Sequence, residues 1–138
     1  MKKILLLCLL TFSLFSCSID DDVQNVQIEF LPIESAVLPS AFEFGTIHEI
    51  SVTYFRPSTC HVFNNFYYEI NENERTVAVV AAVFQNENCQ PFEPETEEEE
   101  VSFNFQVTSN ETYTFKFWQG VDENDNDVYY IVEVPVIQ

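Results

Sequence analysis

Glycine and basic residues are both scarce in this chain, and each scarcity narrows its function. Glycine occurs twice in 138 residues, at Gly45 and Gly120. Phosphate-cradling loops of the Walker and dinucleotide types each need several glycines, so those nucleotide chemistries are excluded. Turns must instead be built from Asn, Asp, Pro and Ser, as in Asn71-Glu72-Asn73-Glu74, Ser109-Asn110 and Asp122 to Asp127. Lysine and arginine together number five against 23 Asp and Glu, a formal net charge of −18. Nucleic-acid binding relies on Lys and Arg displacing counterions from phosphates, so no nucleic-acid partner is expected. Histidine is limited to His48 and His61, so a zinc centre with its usual three or four ligands would have to draw on cysteine or carboxylate as well. No serine sits in a Gly-x-Ser-x-Gly setting. Paired carboxylates for glycoside hydrolysis are the one enzymatic arrangement that so acidic a composition leaves open. The expectation is a protein that is not an enzyme.

Long hydrophobic runs are missing too. The longest largely apolar stretch, Ile4 to Phe15, falls short of the roughly 20 residues a helix needs to cross a bilayer. Lys2 and Lys3 precede it and Ser16-Cys17 follow, the order of a secretory signal over residues 1–16.

Leu14-Phe15-Ser16-Cys17 resembles a bacterial lipobox, with Phe15 where a small residue is usual. Cys17-Ser18-Ile19-Asp20-Asp21-Asp22 resembles the surface-export tether of outer-membrane lipoproteins from the Bacteroidota. The resemblance covers this end of the chain alone. It implies cleavage before Cys17, acylation of that cysteine, a lipidated acidic tether over residues 17–25, and an outer-membrane location facing the cell surface. Two acyl chains give stable anchoring where one gives marginal anchoring, at about 0.8 kcal/mol per buried CH₂. The remaining 122 residues, 17–138, carry Arg56, Arg75 and Lys116 as their only Lys or Arg residues. Cations or a basic protein would be attracted to such a surface, and an anionic membrane face would be repelled.

Residues 26–138 read as one domain of strands. Apolar and polar residues alternate with period two through Val26-Ile28-Phe30, Ile50-Val52-Tyr54, Phe66-Tyr68-Ile70, Val101 to Val107, Tyr113-Phe115-Phe117 and Tyr130 to Val136. Val77 to Phe84 is apolar on both faces, as a central strand would be, although its alanines also suit a helix. About seven short strands in such a length fit an all-β, antiparallel two-layer β-sandwich of immunoglobulin or fibronectin type. Cys60 and Cys89 flank the Asn71 to Glu74 turn almost symmetrically, so a hairpin there brings them together. In an oxidising envelope this favours a disulfide, while Cys60-His61 as a metal or nucleophile pair is the alternative.

Two further sets of residues are candidate sites. Asp122, Asn124 and Asp127 lie in an acidic stretch whose spacing to Glu133 resembles a calcium loop, yet Asp127 stands where the sharp turn of an EF-hand needs glycine. The choice there is between a polar hairpin and a weak calcium site of another type. Glu93 to Glu100, the other acidic run, reads as a solvated loop that guards an edge strand. Among 14 Phe, six Tyr and one Trp, Tyr67, Trp118 and Tyr129 fall out of phase with the inward positions. Such rings either pack beneath a loop or form an exposed face that stacks on sugars. The functional expectation is a surface-exposed binding or accessory module of the envelope with a protein partner, no cofactor and no catalytic residue; a glycan binder and a structural coat protein are the alternatives. Its specificity is expected on the loops Arg56 to Phe63, Gln85 to Glu100 and Gly120 to Asp127. Replacing Cys17 by Ser tests the anchoring: incorporation of a clickable palmitate analogue and retention in the outer-membrane fraction should both be lost. Unchanged labelling would place the lipid elsewhere.

Overall fold

A computed structural model of the protein describes residues 25–85 and 88–138. The signal-like segment, Cys17 and the acidic tether up to residue 24 lie outside the described residues. The rest is all-β, with no helix among the described residues, and is arranged in several sheets that close no barrel. The strands are β1 (Val26–Leu31), β2 (Ile33–Val37), β3 (Phe42–Glu43), β4 (Ile47–Phe55), β5 (His61–Asn71), β6 (Glu74–Phe84), β7 (Glu98–Gln106), β8 (Tyr113–Val121), β9 (Asp127–Val134) and β10 (Val136–Ile137). Six of the ten, β1, β4, β5, β7, β8 and β9, carry the runs of alternating sequence, and β6 contains the run apolar on both faces.

Val77 to Phe84 is strand, not helix, and β6 is the hub of a five-stranded sheet. Strand β5 pairs antiparallel along one edge of β6 through the Asn71–Glu74 turn. Two strands share the other edge: β1 lies antiparallel to Val79–Phe84, and β8 lies parallel to Glu74–Val77. Strand β9 continues beyond β8. Neighbours on both edges and residues buried on both faces explain why β6 is a nearly continuous run of Val and Ala. The pairing is therefore mixed, since β6–β8 and the short β10–β3 pair are parallel where antiparallel pairing throughout was expected.

A three-stranded sheet, β2-β4-β7, supplies the other half of the core. Pro32, which has no N–H to give a ladder, separates β1 in the larger sheet from β2 in the smaller one. Ile50, Val52, Tyr54 and Phe105 from the smaller sheet are buried in one cluster with Val77, Val79, Tyr113, Phe115 and Phe117 from the larger. Phe42, on two-residue β3, locks this cluster, with its ring centroid 5.1 Å from Phe105, 6.0 Å from Tyr113 and 6.1 Å from Phe115.

Strand β1 departs from the expected phase. Val26, Ile28 and Phe30 are exposed, and Leu31 and Ile33 are the residues that enter the core. Pairing of Phe30 with Val80 and of Ile28 with Ala82 puts the β1 alternation on the outer face of the sheet.

Cys60 and Cys89 form a disulfide with Cα atoms 5.3 Å apart, so Cys60 is not free to act as ligand or nucleophile beside His61. The same region is tied by a bridge between Ser58 and Pro91 and by the Arg56 guanidinium 5.5 Å from the Phe92 ring centre. Tyr113 fastens the β7–β8 connection: its buried hydroxyl accepts the backbone N–H of Thr108 at 3.0 Å and of Ser109 at 2.9 Å. Burial alone would raise this phenol, but hydrogen bonds from Thr108 and Ser109 and the nearby Arg75 bring it below its ordinary pKa.

Two stability measurements check these features. Urea unfolding of Tyr113→Phe should show a loss of about 1–3 kcal/mol, because two N–H groups lose their acceptor; an unchanged midpoint would mean that water replaces the hydroxyl. The double substitution Cys60→Ala with Cys89→Ala should cost roughly 3–4 kcal/mol for a loop of this length. If reduction leaves the wild-type midpoint in place, the disulfide contributes no such constraint.

Candidate functional site

The three out-of-phase aromatics meet on the outer face of the five-stranded sheet. They line a groove of about 520 Å³, together with Phe30. Strand register builds it. Tyr67 on β5 lies opposite Ala78 on β6, and Trp118 on β8 lies opposite Tyr129 on β9. Ala78 is a small residue between large ones, so it forms a floor and leaves the rings as walls. One rung further along, Glu69, Thr76 and Lys116 are in register across β5, β6 and β8. Phe30 reaches the groove because β1 and β8 share one edge of β6. Its ring meets Tyr67 edge-on at 5.8 Å and Trp118 edge-on at 6.1 Å.

Polar groups hold these rings in place. The Trp118 indole N–H donates to Asp127 Oδ1 at 2.8 Å. The Tyr67 hydroxyl donates to the Glu69 carboxylate. Lys116 Nζ donates to Glu74 Oε1 at 3.3 Å and lies 4.7 Å from the centre of the Tyr129 ring. The hydrogen bond to Glu69 holds the Tyr67 phenol above its ordinary pKa, and desolvation followed by the charge of Asp127 does the same for Tyr129. Both phenols therefore remain neutral at and above neutral pH, and the Tyr67 oxygen, whose O–H is given to Glu69, can still accept a hydrogen bond. The result is a shallow surface with apolar faces and a polar rim, suited to a flat ligand that is apolar on one side and hydroxylated at its edges.

The acidic hairpin is organised differently. Asp122 Oδ1 accepts the backbone N–H groups of Asn124 at 2.8 Å and Asn126 at 3.0 Å, and these bonds lower its pKa. Asp127 is turned to Trp118. The two carboxylates of the calcium expectation thus serve separate partners, Asp122 its own turn and Asp127 the groove. Among the described residues, no group of three or more His, Cys, Asp or Glu is placed to hold a metal ion. Glu133, on β9, is paired with Thr114 on β8. In the other acidic run, Glu99 accepts Arg56 Nη1 at 2.6 Å and the Tyr54 hydroxyl at 2.9 Å.

One constellation had no sequence signal. Ser58 Oγ lies 2.7 Å from His61 Nδ1, and His61 Nε2 lies 3.0 Å from Glu29 Oε2, the residue types of a hydrolytic relay. Ser58 is buried and its Oγ also accepts the Cys60 N–H at 3.2 Å. The relay does not line the aromatic groove, and its bonds tie β1 to the start of β5 beside the disulfide. His48, the other histidine, bonds Thr46 Oγ1 at 2.8 Å and packs against Phe42.

Phase in the sequence singles out Tyr67, Trp118 and Tyr129, whereas Phe30 follows the alternation of its own strand and Asp127 carries no local sign of its bond to Trp118. The groove stands on strand faces rather than on the loops where specificity was expected. No family model, no curated protein and no solved structure matches this chain.

Proposed function

We propose that the protein is a lipid-anchored, non-enzymatic binding module of the outer-membrane surface, and that its groove binds carbohydrate. In this reading the domain is a two-layer β-sandwich of immunoglobulin or fibronectin type in which β6–β8 is a parallel variation, and it is carried outward on an acylated Cys17. The observation that carries the proposal is the convergence of Phe30, Tyr67, Trp118 and Tyr129 on one exposed groove. Pyranose rings present a C–H face that stacks on aromatic faces, and their hydroxyls hydrogen-bond to carboxylates and phenols. Glu69, Asp127 and the two tyrosine hydroxyls supply such partners at the rim. The ring positions are set by strand register and hydrogen bonds, so little ordering cost accompanies binding. Binding rather than catalysis is favoured because Glu69, Glu74 and Asp127 each hold a neighbouring side chain in place.

Trp118 is the sole tryptophan, so its fluorescence reports on the groove directly. Titration with a panel of neutral oligosaccharides should change that emission for at least one member. Tyr67→Ala should then weaken the binding by about tenfold or more, equivalent to about 1.4 kcal/mol, and Trp118→Ala should do the same by calorimetry. Binding that survives both substitutions, or a panel with no binder, would sink the carbohydrate reading.

A further inference from the structure

We infer that the protein carries a second binding site, for a carboxylate attached to an apolar body, in the groove between β5 and β7. Strand β5 is the edge of the larger sheet and β7 the edge of the smaller one. Where they face each other, Phe66 and Tyr68 meet Phe103 edge-on at 5.1 and 5.7 Å. A groove of about 400 Å³ opens there, walled by these rings, Ile70 and Phe105. Its volume falls at the lower end of the range for small-molecule sites, about 300–1,000 Å³.

Arg75 gives this groove its sign. The residue lines it and is 7% exposed. Arg75 Nη1 donates to the carbonyls of Glu72 at 2.7 Å and Glu74 at 2.8 Å. Its guanidinium lies 5.8 Å from the centre of the Phe105 ring and 5.1 Å from that of Tyr113. It also faces Tyr68, whose phenol burial raises and Arg75 partly restrains. Its Nε–H has no acceptor. The other two cations of the described residues are ion-paired, Arg56 with Glu99 at 2.6 Å and Lys116 with Glu74 at 3.3 Å. Among the described residues Arg75 has no carboxylate partner, although Glu74 is its neighbour in sequence, because the Glu74 side chain is turned to Lys116.

The distribution of acids points the same way. Among the described residues, no Asp or Glu lines this groove, acidic as the chain is. Its rim is Asn104, Gln106 and Thr108, neutral groups that can donate hydrogen bonds. The aromatic groove on the opposite face, by contrast, is lined by Glu69, Glu74 and Asp127. A buried guanidinium without a counter-ion has already lost its hydration during folding, so a carboxylate that reaches it gains a charge-assisted hydrogen bond in a low-dielectric setting. The apolar walls take the alkyl or aryl body of the same ligand.

Octanoate, 1-octanol and octylamine share one tail and differ in charge, which makes them a direct test. Calorimetry on the full chain carrying Cys17→Ser, so that no acyl group competes, should show octanoate binding about tenfold or more tighter than octanol, with no binding of octylammonium. The Arg75 Nε–H resonance should shift on addition of octanoate. Equal affinity for octanoate and octanol, or no octanoate binding at millimolar concentration, would overturn the inference. Gln106→Glu, an exposed change that leaves the core intact, should weaken octanoate about tenfold and octanol far less. If octanoate binds Gln106→Glu as it binds the parent, the site lies elsewhere. This test is independent of carbohydrate binding, which would be read at Trp118 on the other face.

Discussion

The burial of β6 on both faces and along both edges is the constraint from which the rest follows. A strand with neighbours on each edge must give all its backbone groups to the ladder, and one covered on both faces can carry few polar residues. The run Val77 to Phe84 meets both demands. Because β5 occupies one edge for nearly its whole length, β1 and β8 must divide the other between them. That division brings Phe30, on a strand near the start of the domain, against Trp118, on one near its end. The aromatic groove is thus a product of topology as much as of composition.

Sheets of this kind usually bury one face and wet the other. Here the outer face of the larger sheet also carries apolar side chains, among them Ile28, Phe30, Tyr67 and Ile131. Isolated exposed apolar residues are ordinary, but these rings are gathered in one groove and fixed by hydrogen bonds to Glu69 and Asp127. The buried cluster of Phe42, Phe105, Tyr113 and Phe115 holds the two sheets together without them.

The legible part of this fold is the part where period two and burial coincide. Ile50-Val52-Tyr54 and Tyr113-Phe115-Phe117 are buried as their alternation indicates, and Cys60 and Cys89 meet as the symmetry about Asn71–Glu74 suggests. Alternation gives the period but not the face, and Val26-Ile28-Phe30 shows the difference. Its parity is set by Leu31 and Ile33, which straddle Pro32 and enter the core, and by register with β6 that no local pattern encodes. Strand β2 escaped notice because Ile33 to Val37 is short and its partner, β4, is distant in sequence. The same parity logic, applied to Tyr67, Trp118 and Tyr129, identified three of the groove's four rings. Phe30 escapes that logic because the whole alternation of β1 lies on the outer face.

Charge accounts for what phase does not. With three cations among the described residues, each one's partner affects how the acidic residues are arranged. Arg56 and Lys116 neutralise one carboxylate apiece at the surface, where a solvated pair contributes little to stability. Arg75 is buried without one among the described residues, held by two carbonyls and two rings, while every other residue that lines its groove is uncharged. A chain this acidic would by composition alone be expected to surround a buried cation with carboxylates. Keeping them away leaves the cation's charge uncompensated on one side of the domain, while Glu69, Glu74 and Asp127 line the groove on the other. The two grooves on this small scaffold thus differ in sign, and an anionic group would be drawn to the side of Arg75 and repelled from the side of Glu69, Glu74 and Asp127.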